Sequence, residues 1–118
     1  MVLVDTSLWV EHLRQGHGEL KSLLLKGEVV SHRFVIGELA CGFIRNRNEV
    51  LSLLRSLPPA VEAHHDEVMA FLEKNRLMGK GLGLIDMHLV ASAFLSGTLL
   101  WTLDKKLRRE SSRLGIAY

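Results

Sequence analysis

The chain has 118 residues, the size of one domain, since single cores commonly organise about 100 to 150 residues. At 47% hydrophobic and 24% charged, it carries too much apolar surface and too little net charge to be intrinsically disordered. Fifteen bases against thirteen acids, a formal +2, mark it by charge alone as neither a nucleic-acid binder nor a membrane-surface protein.

One cysteine, Cys41, excludes an internal disulfide framework and a multi-thiolate zinc site. It fits a reducing compartment, with the cytoplasm as the default. No basic n-region or cleavage pattern follows Met1, so no signal peptide is expected, and residues 1–118 read as a single domain. Met87 to Leu103 is the longest run without a formal charge, yet it is too short and too polar to span a bilayer.

Val2 to Val4 is a short continuous apolar run, the pattern of a strand buried on both faces of a parallel sheet, and Asp5 closes it. Thr6 and Ser7 offer N-cap oxygens ahead of Leu8, Trp9, Val10 and Leu13, so a helix follows at once. Leu20, Leu23 and Leu24 form a second helical stripe, which Gly27 ends. Val29 and Val30 read as the next strand, with Ser31 capping a helix that carries Phe34, Val35, Glu38, Leu39 and Phe43 and reaches about Arg45. Asn48 caps a further helix through Val50, Leu51 and Leu54. Pro58 and Pro59 stop it, because proline cannot continue the hydrogen-bond ladder.

Another helix is expected from Asp66 to about Leu77, and Gly79, Lys80, Gly81 and Gly83 mark a loop. Leu89, Val90, Ala93 and Phe94 then recur at helical spacing until Gly97. Leu99 to Leu103 is a strand, Asp104 follows it, and a basic amphipathic helix runs to Leu114. Gly115 stops that helix, and Ile116 with Ala117 forms a last short strand. Strands alternating with helices imply a three-layer α/β/α sandwich around a short, mainly parallel sheet. Ligands of such sheets sit outside the carboxyl ends of the strands.

Most acids lie among polar neighbours and read as solvated: Glu19, Glu49, Glu62, Asp66, Glu67, Glu73 and Glu110. Four do not. Asp5 and Asp104 each directly follow an apolar strand. Glu38 shares its helix face with Phe34, Val35, Cys41 and Gly42, and Asp86 with Leu89, Val90 and Ala93, so both carboxylates are expected to point toward the protein body. A cap role competes for each post-strand Asp; the joint occurrence of four such acids is what points to a site. Two carboxylates about 5 Å apart repel by roughly 3 kcal/mol at an effective dielectric of about 20. Four together therefore call for a cation, and hard oxygen ligands suit magnesium or manganese.

At these residues the chain resembles the PIN-domain nucleases, and among them the small VapC toxins of toxin–antitoxin pairs. The matching segments are VLVDTSLWVEHL, VIGELACG, LIDMHLVASA and LLWTLDKKL, which follow the family's order over nearly the whole chain. The resemblance implies an endoribonuclease dependent on Mg²⁺ or Mn²⁺, with Asp5, Glu38, Asp86 and Asp104 as its catalytic and metal-binding quartet. Within it, Asp5 and Asp86 are direct ligands, Asp104 binds a second ion directly or through water, and Glu38 positions metal-bound water or that second ion. Thr6 and Thr102 are the hydroxyls set beside the first and last acids. In-line attack leaves a 5′-phosphate and a 3′-hydroxyl. The implied partners are RNA, a small antitoxin covering the acidic pocket with an inserted Arg, and a second copy of the chain. Leu107 stands where the family often has an aromatic residue, a departure that touches packing.

Lys105, Lys106, Arg108, Arg109 and Arg113 cluster beside Asp104 and are expected to hold phosphates flanking the cut; a solvated helix face is the plainer alternative. Arg45 and Arg47 are weaker candidates for the same role. Among the six histidines, His12, His17 and His32 read as surface residues, His64 and His65 are adjacent, and His88 points off the Asp86 face. Cys41 reads as a small buried hydrophobe, and Trp9 and Trp101 as packing residues. The competing readings are a PIN-fold RNA-processing nuclease without an antitoxin and a non-catalytic RNA-binding or scaffold module. A receiver-like phosphoacceptor domain would need a mid-chain Asp, which Val50 to Ala60 does not supply.

Overall fold

Three parallel strands organise the chain, whose computed structural model describes residues 1–118. Strand β1 (Val2–Val4) lies between β2 (Val29–Val30) and β3 (Leu99–Trp101). Val2 and Leu3 pair with Val29 and Val30 on one side; Val2, Leu3 and Val4 pair with Leu99, Leu100 and Trp101 on the other. The central strand is apolar throughout because helices cover both faces of the sheet, and its three residues are buried.

Seven helices fill the outer layers: α1 (Thr6–Gln15), α2 (Gly18–Leu25), α3 (Arg33–Ala40), α4 (Arg47–Ser56), α5 (His65–Lys74), α6 (Leu84–Ser96) and α7 (Lys105–Arg113). Leu8 and Trp9 of α1, Leu89, Val90 and Ala93 of α6, and Leu107 of α7 join the strands in one core. This is the expected α/β/α sandwich. No helix is long and apolar enough to cross a membrane.

Several element ends differ from the sequence reading, each for a local reason. Helix α1 begins at Thr6, so Asp5 holds the N-cap position and Thr6 and Ser7 lie inside the first turn. Ser31 does not cap α3. Its N–H donates to the Pro58 carbonyl and its own carbonyl accepts from Ala60, an extension of β2. His32 caps the helix instead, with Nδ1 accepting from the Phe34 N–H at 3.0 Å. The neutral ring then carries its proton on Nε2, which lies 3.0 Å from Ser92 Oγ. His32 is therefore buried, not on the surface, and burial lowers its pKa.

Helix α3 ends at Ala40, short of Arg45, because the Arg47 guanidinium donates to the carbonyls of Ala40 and Gly42 and closes the helix end. Cys41 consequently sits at an exposed terminus rather than in the core. Helix α4 starts at Arg47 after Asn46, which adopts the left-handed conformation at φ 56°, so Asn48 is not the cap. Helix α5 starts at His65 and stops at Lys74, where the Asn75 side chain donates to the Phe71 carbonyl. Strand β3 ends at Trp101. The last strand reduces to a single bridge from Ala117 to Leu100, flanked by Leu100 N–H to the Ile116 carbonyl at 2.7 Å and Tyr118 N–H to the Leu100 carbonyl at 3.0 Å.

Glu110, expected on a solvated face, is only 3% exposed. It accepts from Arg113 Nε at 2.9 Å and meets Arg109 Nε at 3.5 Å, and the Arg113 hydrogen bond holds its carboxyl below the ordinary glutamate range.

Leu100 pairs with β1 on one edge of its strand and with the C-terminal segment on the other, and its side chain is fully buried. Leu100→Ala is expected to destabilise the fold by about 2–5 kcal/mol through lost burial and the cavity left behind, measured by urea denaturation.

Candidate active site

Because all three strands are parallel, their carboxyl ends share one edge of the sheet, and the chain leaves that edge at Asp5, at His32 and at Thr102. The register that pairs Val4 with Trp101 sets Asp5 against Thr102, and the Asp5 N–H bonds the Trp101 carbonyl at 2.9 Å. Thr102 Oγ1 donates to Asp5 Oδ2 at 2.7 Å, and Ser7 Oγ donates to the same oxygen at 2.8 Å. Those hydroxyls are themselves fixed by backbone: Asp104 N–H donates to Thr102 Oγ1 and Leu103 N–H to Ser7 Oγ, each at 3.0 Å. Asp5 is buried and held on one side.

The other acids follow the same pattern. Thr6 Oγ1 donates to Glu38 Oε1 at 2.7 Å, which joins the start of α1 to α3. The Gly83 N–H donates to Asp86 Oδ2 at 3.0 Å in the first turn of α6. Asp104 Oδ1 accepts from the N–H groups of Lys106 and Leu107 at 2.9 and 3.1 Å, so Asp104 caps α7, and Asp86 also makes a capping contact. In every case one carboxylate oxygen is engaged and the second accepts nothing from the protein. Capping and ligand roles therefore do not compete for the same atom.

The four are electrostatic neighbours. Burial raises the pKa of Asp86 most, the Gly83 hydrogen bond opposes it, and the charges of Asp5, Asp104 and Glu38 raise it further. No side-chain nitrogen of a Lys, Arg or His lies within 4.0 Å of any of the four carboxylates, since the chain's ion pairs all involve Glu62 or Glu110. The cation expected to meet them is thus not supplied by the chain. Nor do any three His, Cys, Asp or Glu side chains stand close enough to form a closed cage around an ion. Glu38 and Asp104 are exposed and Asp86 is half-buried, so Glu38 does not point into the body as its helix face had implied.

A donor set made only of carboxylate and hydroxyl oxygens, each acid with an available oxygen, fits a hard divalent ion such as Mg²⁺. The sequence singled out Thr6 and Thr102, and both hydroxyls bond an acid. It missed Ser7, treated only as a cap; its position two residues after Asp5, on the first turn of a helix, is the signal that could have found it.

Of the basic residues, Lys105, Lys106 and Arg108 make no ion pair, whereas Arg109 and Arg113 are drawn toward Glu110, and Arg113 also donates to the Asn75 carbonyl at 2.8 Å. Arg47 is committed to the end of α3. Arg45, Arg14 and Glu38 border an open groove of about 490 Å³ whose apolar wall includes Val10, Leu13 and Ile44, with Phe43 fully exposed at its rim.

A family profile described as PIN domain matches residues 2–111. Ribonuclease VapC32 of Mycobacterium tuberculosis, from two strains, is 44% identical over 118 residues, covering 99% of this chain and 95% of that protein. The crystal structure of FitAcB from Neisseria gonorrhoeae superposes with a TM-score of 0.62 at 23% identity, over 95% of this chain and 94% of that one, a likeness of fold.

Two stability measurements test this geometry. Ser7→Ala removes one of two donors to Asp5 and frees the exposed Leu103 N–H to water, and is expected to cost about 1 kcal/mol; Thr102→Val, which strands the part-buried Asp104 N–H, is expected to cost about 2 kcal/mol. The second concerns Asp86. A carboxyl whose folded pKa is raised binds more protons folded than unfolded, so its ionisation removes stability as pH rises from the ordinary aspartate value through the raised one. Without divalent ions, Asp86→Asn is expected to raise the melting temperature at pH 7 and to lose that advantage below the ordinary aspartate range.

Proposed function

From a chain that belongs to the PIN-domain family, we propose a VapC-type toxin: an endoribonuclease that hydrolyses RNA phosphodiester bonds and is held in check by a small antitoxin. The observation that carries this is the set of four carboxylates at one sheet edge, each with one oxygen fixed by the fold and one available. The 44% identity to a protein named as a ribonuclease of this type supports the substrate class.

Asp5 and Asp86 would hold a divalent ion, Asp104 a second ion directly or through water, and Glu38 would stand beside them. When bound, such an ion neutralises phosphate charge and acidifies a water that serves as nucleophile. The chain's own residues do the positioning. Ser7 and Thr102 fix the rotamer of Asp5, Thr6 fixes Glu38, and the N-termini of α6 and α7 fix Asp86 and Asp104. Lys105, Lys106 and Arg108 stand next to Asp104 with no acid of their own to satisfy, so they are the cations left to hold flanking phosphates; Arg109, half engaged by Glu110, is the weaker fourth. The groove at Glu38 offers an apolar antitoxin segment a seat from which a guanidinium reaches the acids. A homodimer is proposed alongside; Met69, Phe94 and Leu95, exposed on α5 and α6, give it a second apolar face.

The test is incubation of purified protein with a mixture of structured RNAs in magnesium, in manganese and in chelator. Cleavage is expected with either ion and not in chelator, with products bearing 5′-phosphates and 3′-hydroxyls. Asp5→Asn is expected to lower the rate by roughly 100-fold or more, the scale on which disturbed ligation reduces activity. Equal cleavage by wild type and Asp5→Asn, or cyclic phosphate ends, would overturn the mechanism.

A further inference from the structure

Four of the six histidines meet at a place the acidic cluster does not use. His32, His64, His65 and His88 line a cavity of about 410 Å³ together with Arg33 and Glu62. It lies past the carboxyl end of β2, on the sheet edge that carries Asp5 past β1 and Asp104 past β3. Two helices serve both places. The start of α3 lines the cavity while its Glu38 belongs to the acidic cluster, and in α6 Leu84 and His88 line the cavity while Asp86, between them, belongs to the cluster.

Three helices begin on this cavity: α3 at Arg33, α5 at His65 and α6 at Leu84. Their dipoles present positive ends, and the first-turn N–H groups of Val35, Asp66 and Ile85 donate to nothing in the protein. The second observation is His88. It is 7% exposed, its imidazole has no hydrogen-bond partner, and neither ring nitrogen is sealed from solvent, so the surface the ring keeps opens on the cavity it lines. Phe34 packs against the ring in a T-shaped contact, with centroids 4.8 Å apart. The one acid at the rim, Glu62, is paired with Arg33 at 3.2 Å, and both are solvent-exposed enough to exchange partners. A buried imidazole without a partner, an arginine and three helix starts form a receptor for a phosphate group.

We propose that this cavity is a second phosphate-binding subsite, which seats a backbone phosphate of the RNA strand whose scissile linkage lies at the acidic cluster. The proposal rests on the ribonuclease reading and adds to it a contact on the β2 side, opposite the basic residues of α7. It gives the enzyme two phosphate anchors with the cut between them.

The test uses the whole chain and two probes, inorganic phosphate and a cleavage-resistant 2′-O-methyl phosphorothioate RNA, followed by NMR. Phosphate is expected to shift the His88 imidazole and the amides of Val35, Asp66 and Ile85, and the RNA is expected to compete for the same shifts. His88→Leu, which keeps the buried volume, and Arg33→Ala, which alters an exposed side chain, are each expected to weaken phosphate about tenfold, the loss of one hydrogen bond to a charged group. Arg33→Ala is expected to raise KM for RNA and leave kcat unchanged. Phosphate shifts confined to α7, or a cavity that binds phosphate without competition from RNA, overturn the proposal. If the wild type cleaves RNA while phosphate bypasses the cavity, the subsite falls and the ribonuclease stands; if phosphate fills the cavity but RNA is neither bound nor cleaved, the ribonuclease reading falls and takes the RNA contact with it.

Discussion

The hydrogen bond from Thr102 to Asp5 joins residues from opposite ends of the chain, and the site depends on it. It exists only because β1 and β3 pair in one register, with Val2 against Leu99 and Val4 against Trp101. Side chains alternate across a strand, so a one-residue slip would turn Thr102 away from Asp5 and invert the buried face of β3. The same register brings Ser7 to the Leu103 N–H, while the Asp104 N–H closes locally on Thr102. A short apolar strand pair thus sets two acids and two hydroxyls at once, with no contribution from a flexible loop.

The charge balance takes its meaning from this placement. Removing the four site acids from thirteen leaves nine against fifteen bases, so the near-neutral total conceals a basic protein around an acidic centre. Pairing leaves that net surplus unchanged but occupies several of its members. Arg47 closes a helix, Arg113 binds Glu110 and the Asn75 carbonyl, and Arg33 pairs with Glu62. Fewer cations are open to phosphate than the count implies, and three without ion pairs, Lys105, Lys106 and Arg108, stand together at the start of α7, beside Asp104. Steering by the whole surface is weak, and local anchoring has to carry the recognition.

Legibility from sequence followed the range of the contacts. The strands β1 and β3, their terminal acids and the α6 periodicity are local patterns, and the sequence shows them directly. The helix-face test worked for Asp86 and failed for Glu38, because two of the neighbours it used, Cys41 and Gly42, lie beyond the end that Arg47 imposes on α3. Applied to Glu110, the same test would have succeeded: Leu107 and Leu114 lie three before and four after it, and Leu107 is fully buried. The basic composition of α7 masked that face. His32 was unreadable for another reason, since its burial depends on Ser92, sixty residues away, and on a β2 extension that takes Ser31 out of the cap.

Glu110 also explains how Asp86 and Asp104 keep their relation across a glycine-rich loop. The loop from Asn75 to Gly83 feeds α6; buried Leu77 anchors its first half, and its glycines leave the rest to be held from outside. Helix α7 does so at two points. Glu110 orients Arg113, whose guanidinium reaches the Asn75 carbonyl at the start of the loop. Further along, Lys106 lies across Gly81, where an added Cβ would stand 2.7 Å from the Lys106 Cδ. Gly81 is required there by its φ of +80°, since the exposed lysine stem above it is free to shift. Because Asp104 caps the same helix, the element that fixes the fourth acid also clamps the loop that delivers the third. The buried carboxylate is a fastening, remote from the chemistry, and its low pKa keeps it charged and attached to Arg113 well below neutral pH.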